Sequence, residues 1–174
     1  MPALNSWQLI VRTMRTAASA FQQDADETIA HLSESGSSEV INACRRATMN
    51  LVMVAVGGFS MLEGVLEQTR GWQHPYQELE HNLREKGNVA LAQTFNNYRL
   101  AINVLKHGYG KSYERLLTQA GLPFRVKLPN EAFFDEGDVG EIPGLVLVDF
   151  AFVQSCAAVI EDAFTTLRIP RLDL

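Results

Sequence analysis

Cysteine is scarce in this 174-residue chain: only Cys44 and Cys156 occur, far apart in sequence. A small secreted scaffold stapled by disulfides is thereby excluded. Each cysteine falls inside an apolar helical pattern, as a reduced, buried thiol would. Long apolar runs are lacking as well. The longest, Leu51–Leu62, is far shorter than the roughly 20 residues that cross a bilayer. Met1–Ser6 has no basic start leading into an apolar stretch, so no signal peptide is read there. The expectation is a cytoplasmic protein with no membrane partner. Charged residues amount to 20%, with a net charge of -5, against 47% apolar residues. That balance excludes a disordered chain and points to one well-buried core. No Gly-x-Ser-x-Gly elbow is present, and neither cysteine has a histidine in a nucleophile–base pattern.

What is present is helical period. Trp7, Ile10, Met14, Ala18, Phe21, Ala25, Ile29 and Leu32 recur every three or four residues, which predicts a helix over Ser6–Leu32 with a weak point near Asp24. Ser33–Ser38 reads as a polar connection. A second helix is expected over Glu39–Thr69, with Gly57, Gly58 and Ser60 in its middle; a close neighbour or a kink would explain glycine there. Gly71 ends it, and Pro75 suits the first turn of a short helix over Pro75–Glu85. Further helices are predicted over Val89–Lys106, Ser112–Ala120 and Asp149–Leu167. Between the last two lies a long loop, Phe124–Gly144, across which Phe124–Leu128 and Leu145–Val148 can pair as a short antiparallel ribbon. The expected fold is all-α: an up-and-down helical bundle of five to six helices with one long loop, residues 1–174 forming a single helical domain.

Charge is unevenly spread. Arg99, Lys106, Lys111, Arg115, Arg125 and Lys127 face only Glu114 in their stretch, and Glu131, Asp135, Glu136, Asp138, Glu141 and Asp149 follow with no base among them. Mutual neutralisation is one reading, and a phosphate-binding patch covered by an acidic loop is the other. Gly110-Lys111-Ser112 resembles the end of a phosphate loop but lacks the preceding glycine and strand. It leaves Lys106, Lys111, Ser112 and Arg115 as candidate anion-binding residues, with Ser112 otherwise an ordinary N-cap. Glu78 and His81 make one Glu-x-x-His, but a di-iron bundle needs a second copy and none exists. His74, Glu78 and His81 share one helix stripe, as a mononuclear metal site would want; a solvated polar face is the preferred reading, and no metal or other cofactor is expected. Glu63 and Glu67 lie one turn apart, a possible carboxylate pair or a helix surface beside Arg70.

The informative segment is Asn96–Gly110. Advancing about 100° per residue, Leu91, Phe95, Tyr98, Ile102 and Leu105 cluster as a core face. Asn96, Leu100, Asn103, Val104 and His107 lie away from it, a mixture of amides, histidine and aliphatics that suits an interface better than water. Arg99, Asn103 and His107 are successive i, i+4 neighbours.

Asn103-Val104-Leu105-Lys106-His107-Gly108 resembles the Asn-x-x-x-His-Gly part of the HEPN superfamily of small helical bundles. The earlier helix with Phe59-Ser60-Met61-Leu62-Glu63, and a late loop entering a final amphipathic helix, look similar too. The likeness covers about residues 43–168, with the first long helix, about 6–32, added. It implies metal-free RNA cleavage at a dimer interface in complete members, with His as acid/base and Arg stabilising phosphate. Here the family's Arg position is Ile102, and Arg99 lies further from His107 than the pattern allows. The expectation is therefore a homodimeric interaction or RNA-associated module with weak or no catalysis, in stress response or phage defence, and with RNA or an antitoxin-type protein as partner. Its dimer face would be Asn96, Leu100 and Val104. The alternatives are a metal-independent ribonuclease or toxin using His107, Asn103 and Arg99, and a metal- or small-ligand-binding bundle.

Overall fold

The computed structural model describes residues 6–32, 38–129, 131 and 144–169. These residues hold six helices: α1 (Trp7–Leu32), α2 (Ser38–Arg70), α3 (Pro75–Glu85), α4 (Val89–His107), α5 (Lys111–Leu117) and α6 (Phe150–Thr166). The fold is an all-α helical bundle, as the periodicity predicts. The boundaries agree to within one to three residues, and α5 differs most. The weak point expected near Asp24 is absent, since α1 runs through it unbroken.

Local chemistry sets the boundaries. Gly71 adopts φ 65° directly after α2, a conformation that stops a helix at no Cβ cost. Pro75 opens α3 from its first turn. Asp149 caps α6, its carboxylate accepting the Phe152 N–H at 2.7 Å. The far end of α6 is capped from outside. Arg70 Nη2 donates to the carbonyls of Leu167 and Arg168, both at 3.1 Å, and Lys86 Nζ to that of Thr166 at 3.3 Å. Cations at a helix C-terminus complement its dipole.

One helix is central. α4 packs against α2, α3, α5 and α6, while α1 covers α2 and α6 on the other side. The residues of α4 buried in this position are Ala92, Phe95, Asn96, Asn97, Tyr98, Leu100, Ala101, Ile102 and Val104. They lie all round the helix, which marks a core helix rather than a surface one. This corrects the expectation of a free second face. Leu100 is 1% exposed and Val104 3%, so the aliphatics assigned to a dimer interface are consumed by the chain's own bundle. The buried amides are satisfied: Asn96 Oδ1 accepts from Arg99, and Asn97 Oδ1 from Gln93, whose Nε2 also reaches Gln119.

Aromatic rings fix the layers. Phe59 (α2), Tyr76 (α3) and Phe95 (α4) form one trio with centroids 5.4–5.8 Å apart. Tyr98, Phe124 and Phe152 form a second at 5.1–5.3 Å, tying the start of the loop excursion to α4 and α6. Such offset and edge-on contacts add to burial. The expected ribbon is reduced to a single antiparallel bridge, Val126 to Val146, closed by Lys127 N–H to the Leu145 carbonyl and Leu147 N–H to the Arg125 carbonyl. Most of the acidic stretch, Asp135, Glu136, Asp138 and Glu141, lies outside the described residues, as does most of the polar connection expected at Ser33–Ser38. Over Ile41–Arg70, α2 is long and apolar enough to cross a membrane by length and composition alone. Its inner face, with Leu51, Ala55, Phe59, Leu62, Val65 and Leu66, belongs to the core.

Candidate functional site

A cleft of about 140 Å³ opens where α2, α4 and the start of α3 meet. Phe59, Ser60 and Glu63 come from α2; Gln73, His74, Pro75, Tyr76 and Gln77 from the turn into α3; Arg99, Ile102, Asn103 and Lys106 from α4. The i, i+3/i+4 spacing of Arg99, Asn103 and Lys106 places all three on the wall that α4 contributes. Gly71 and Pro75 turn the chain between α2 and α3, and this brings His74 opposite that wall.

The floor is rigid. Phe59 and Tyr76 belong to the first aromatic trio, and the Tyr76 hydroxyl donates to the Phe59 backbone carbonyl. Burial, and after it the nearby Glu63 carboxylate, push the Tyr76 hydroxyl well above the usual phenol range. Tyr76 therefore stays protonated and acts as a structural donor.

Arg99 is the most constrained polar group on the wall. Its Nε lies 2.6 Å from Glu80 Oε1, with side chains 17% and 15% exposed, and its Nη2 donates to Asn96 Oδ1 at 2.7 Å. Two of its donor nitrogens are thus spent on orientation. Among the described residues Nη1 has no partner, which leaves an unpaired edge on an oriented guanidinium that lines the cleft. Lys106 is exposed and makes no ion pair among the described residues. With Asn103 they offer two positive groups and an amide to an anion; Glu63 and His74 line the same cleft.

The sequence-derived candidates are divided by this geometry. Arg99, Asn103 and Lys106 line the cleft. His107 does not: it is the last residue of α4, exposed, beyond the wall. Lys111, Ser112 and Arg115 sit on α5, also outside the cleft. The N-cap of α5 is Gly110, not Ser112. Asn96 is buried beneath Arg99 as its support. Leu100 and Val104 are core. His74, Glu78 and His81 do not assemble: the described residues hold no cluster of three potential metal ligands, and His81 pairs instead with Glu85 at 3.2 Å. Of the charge runs, Arg99 is matched by Glu80 and Arg125 by Glu131, so part of the basic stretch is neutralised within the chain. Both cysteines are free thiols, Cys156 buried and Cys44 half-buried. Ser60, Gln73 and Gln77 were not legible as site residues. Their only sequence signal is the Gly71–Pro75 punctuation that turns one helix back on the next. No family model, curated protein or solved structure matches this chain.

Proposed function

We propose that this bundle is a HEPN-like, RNA-associated binding module that holds a phosphodiester in the cleft between α2, α3 and α4. The observation that carries the reading is the convergence of Arg99, Asn103 and Lys106 on one wall of that cleft. A guanidinium edge held by Glu80 and Asn96 is pre-organised for a planar phosphate contact. Lys106 adds a mobile point charge, and Asn103 offers an amide donor to a phosphate or ribose oxygen. Contacts of this kind position a backbone without reading its sequence, so the module binds RNA with little base preference.

The test is fluorescence anisotropy with a labelled single-stranded RNA across a salt series. Lys106→Glu is expected to weaken binding about tenfold and to reduce the slope of log K against log salt by about 0.7, one single-strand phosphate contact. Lys111→Glu, on α5, serves as the comparison and leaves the cleft intact. Equal binding by wild type and Lys106→Glu overturns the proposal.

A second reading is favoured by His74 and Glu63 lining the same cleft: metal-independent cleavage of the bound strand, with His74 moving the proton and Arg99 stabilising the phosphate. EDTA-resistant cleavage that is lost in His74→Ala and kept in His107→Ala would establish it. No cleavage above the level of His74→Ala leaves the binding module alone.

A further inference from the structure

The outward face of α2 carries a pattern that packing among the described residues does not explain. Gly58 is accounted for: a Cβ there would collide with the Met14 side chain of α1. Gly57 and Gly64 differ, since among the described residues a Cβ at either meets no other group within 4 Å. Glycine inside a helix weakens it relative to alanine, and nothing among the described residues requires it at these two positions. Around them, Met49 is 44%, Met53 58% and Met61 40% exposed, large apolar side chains on one helix face. Arg46 lies at one end of this stripe and Glu67 at the other, both exposed and neither in an ion pair among the described residues.

The stripe is complementary to itself. Lay a second α2 antiparallel on the first, with a two-fold axis between Val56 and Gly57. Met53 then meets Ser60, Met49 meets Gly64, and Arg46 meets Glu67, because all three pairs are centred on that same point. Met49 and Met53 each face a small residue, Met61 lies at the edge of the stripe, and each cation faces an anion. Residue i meets j and j meets i, which is the requirement of an isologous interface. Glycine at the crossing lets the two backbones approach closely, and methionine adapts its shape to the facing surface.

We propose that α2 pairs with α2 of a second copy of this chain about a two-fold axis beside Gly57. The occupant is a second copy because size and charge both match under that one symmetry operation. A membrane surface would match the methionines but leave Arg46 and Glu67 without their reciprocal placement. Ser60 belongs to both the stripe and the cleft lining, so pairing brings the partner subunit to the edge of the RNA cleft. The pairing does not depend on what the cleft binds.

Sedimentation equilibrium on the full chain tests it. Wild type is expected to be a dimer. Arg46→Glu and Glu67→Arg each weaken association at least about tenfold, since symmetry repeats every like-charge contact twice. The double variant Arg46→Glu/Glu67→Arg restores it. Circular dichroism monitors folding, which these exposed sites leave unchanged. Gly57→Cys places a thiol beside the axis, where the helix has room for it, and is expected to form a disulfide-linked dimer that wild type does not form under the same oxidant. A monomeric wild type, a double variant no better than the single ones, or a Gly57→Cys chain that stays uncrosslinked overturns the proposal. So does a monomer that floats with lipid vesicles, which would assign the stripe to a membrane surface.

Discussion

Arg99 links the core to the cleft. Its pair with Glu80 is mostly enclosed, so removing the carboxylate charge leaves a guanidinium poorly compensated. Glu80→Gln is expected to lower the unfolding free energy by about 1 to 2 kcal/mol in a urea titration. Arg99 was legible from sequence as the start of an i, i+4 strip with Asn103 and His107, and the strip exists. Its end was misread because a helix's last residue, followed by Gly108, leaves the wall that the earlier turns share. His74 was legible only as a neighbour of Glu78 and His81, since periodicity relates residues within one helix. Its approach to Glu63 depends on a turn between two helices. Cys156 shows the same limit in reverse. An apolar pattern was enough to place it in the core, and burial raises its thiol pKa far above the usual value. A thiol reagent at pH 8 is expected to label Cys44 in the native protein, and Cys156 only after denaturation. Labelling of native Cys156 at the rate of Cys44 would contradict its placement.

Among the elements, α4 separates what an amphipathic pattern can and cannot say. Its core face and both its ends were readable. A second apolar strip was visible too, in Leu100 and Val104, but a strip looks the same whether the chain's own helices or a second copy cover it. The structure covers it with the bundle. Leu100→Asp is therefore expected to unfold the protein rather than dissociate a dimer, because it buries an unpaired charge. Leu100→Ala should cost about 3 kcal/mol by thermal or urea melting. A folded, monomeric Leu100→Asp would contradict this placement. The loop excursion gives another case. The ribbon's residues were readable, but pairing stops after one bridge, and side chains complete the turn. Glu131 accepts the Leu128 N–H at 3.0 Å and pairs with Arg125. The Leu128 N–H first, and Arg125 second, hold the Glu131 carboxyl below its usual pKa of 4.5. A depressed folded-state pKa contributes stability above the unfolded value and loses it as pH falls through the folded one. Amide exchange at Leu128, corrected for its intrinsic pH dependence, should therefore lose protection below about pH 4. Glu131→Gln should show reduced protection already at neutral pH.

For the molecule as a whole, the net charge of -5 is a poor guide to what it binds. Arg99 is balanced by Glu80, and Arg125 by Glu131, so the basic run of the sequence does not form one continuous patch. Two separate groups remain: Lys106 and one edge of Arg99 beside Asn103 and His74 in the cleft, and Lys111 with Arg115 on α5. Sequence reading found the bundle because helical period and glycine–proline punctuation are local signals. It could not find the cleft, which exists only where three helices from different parts of the chain converge. On the proposed function, phosphate is held there and not along α5. An amide chemical-shift titration of the ¹⁵N-labelled protein with a short single-stranded RNA tests this most directly. The largest shifts are expected at His74, Asn103 and Lys106, with the midpoint moved to about tenfold higher RNA in Lys106→Glu. Shifts centred on Lys111, Ser112 and Arg115 instead, with His74 and Asn103 unmoved, would contradict it.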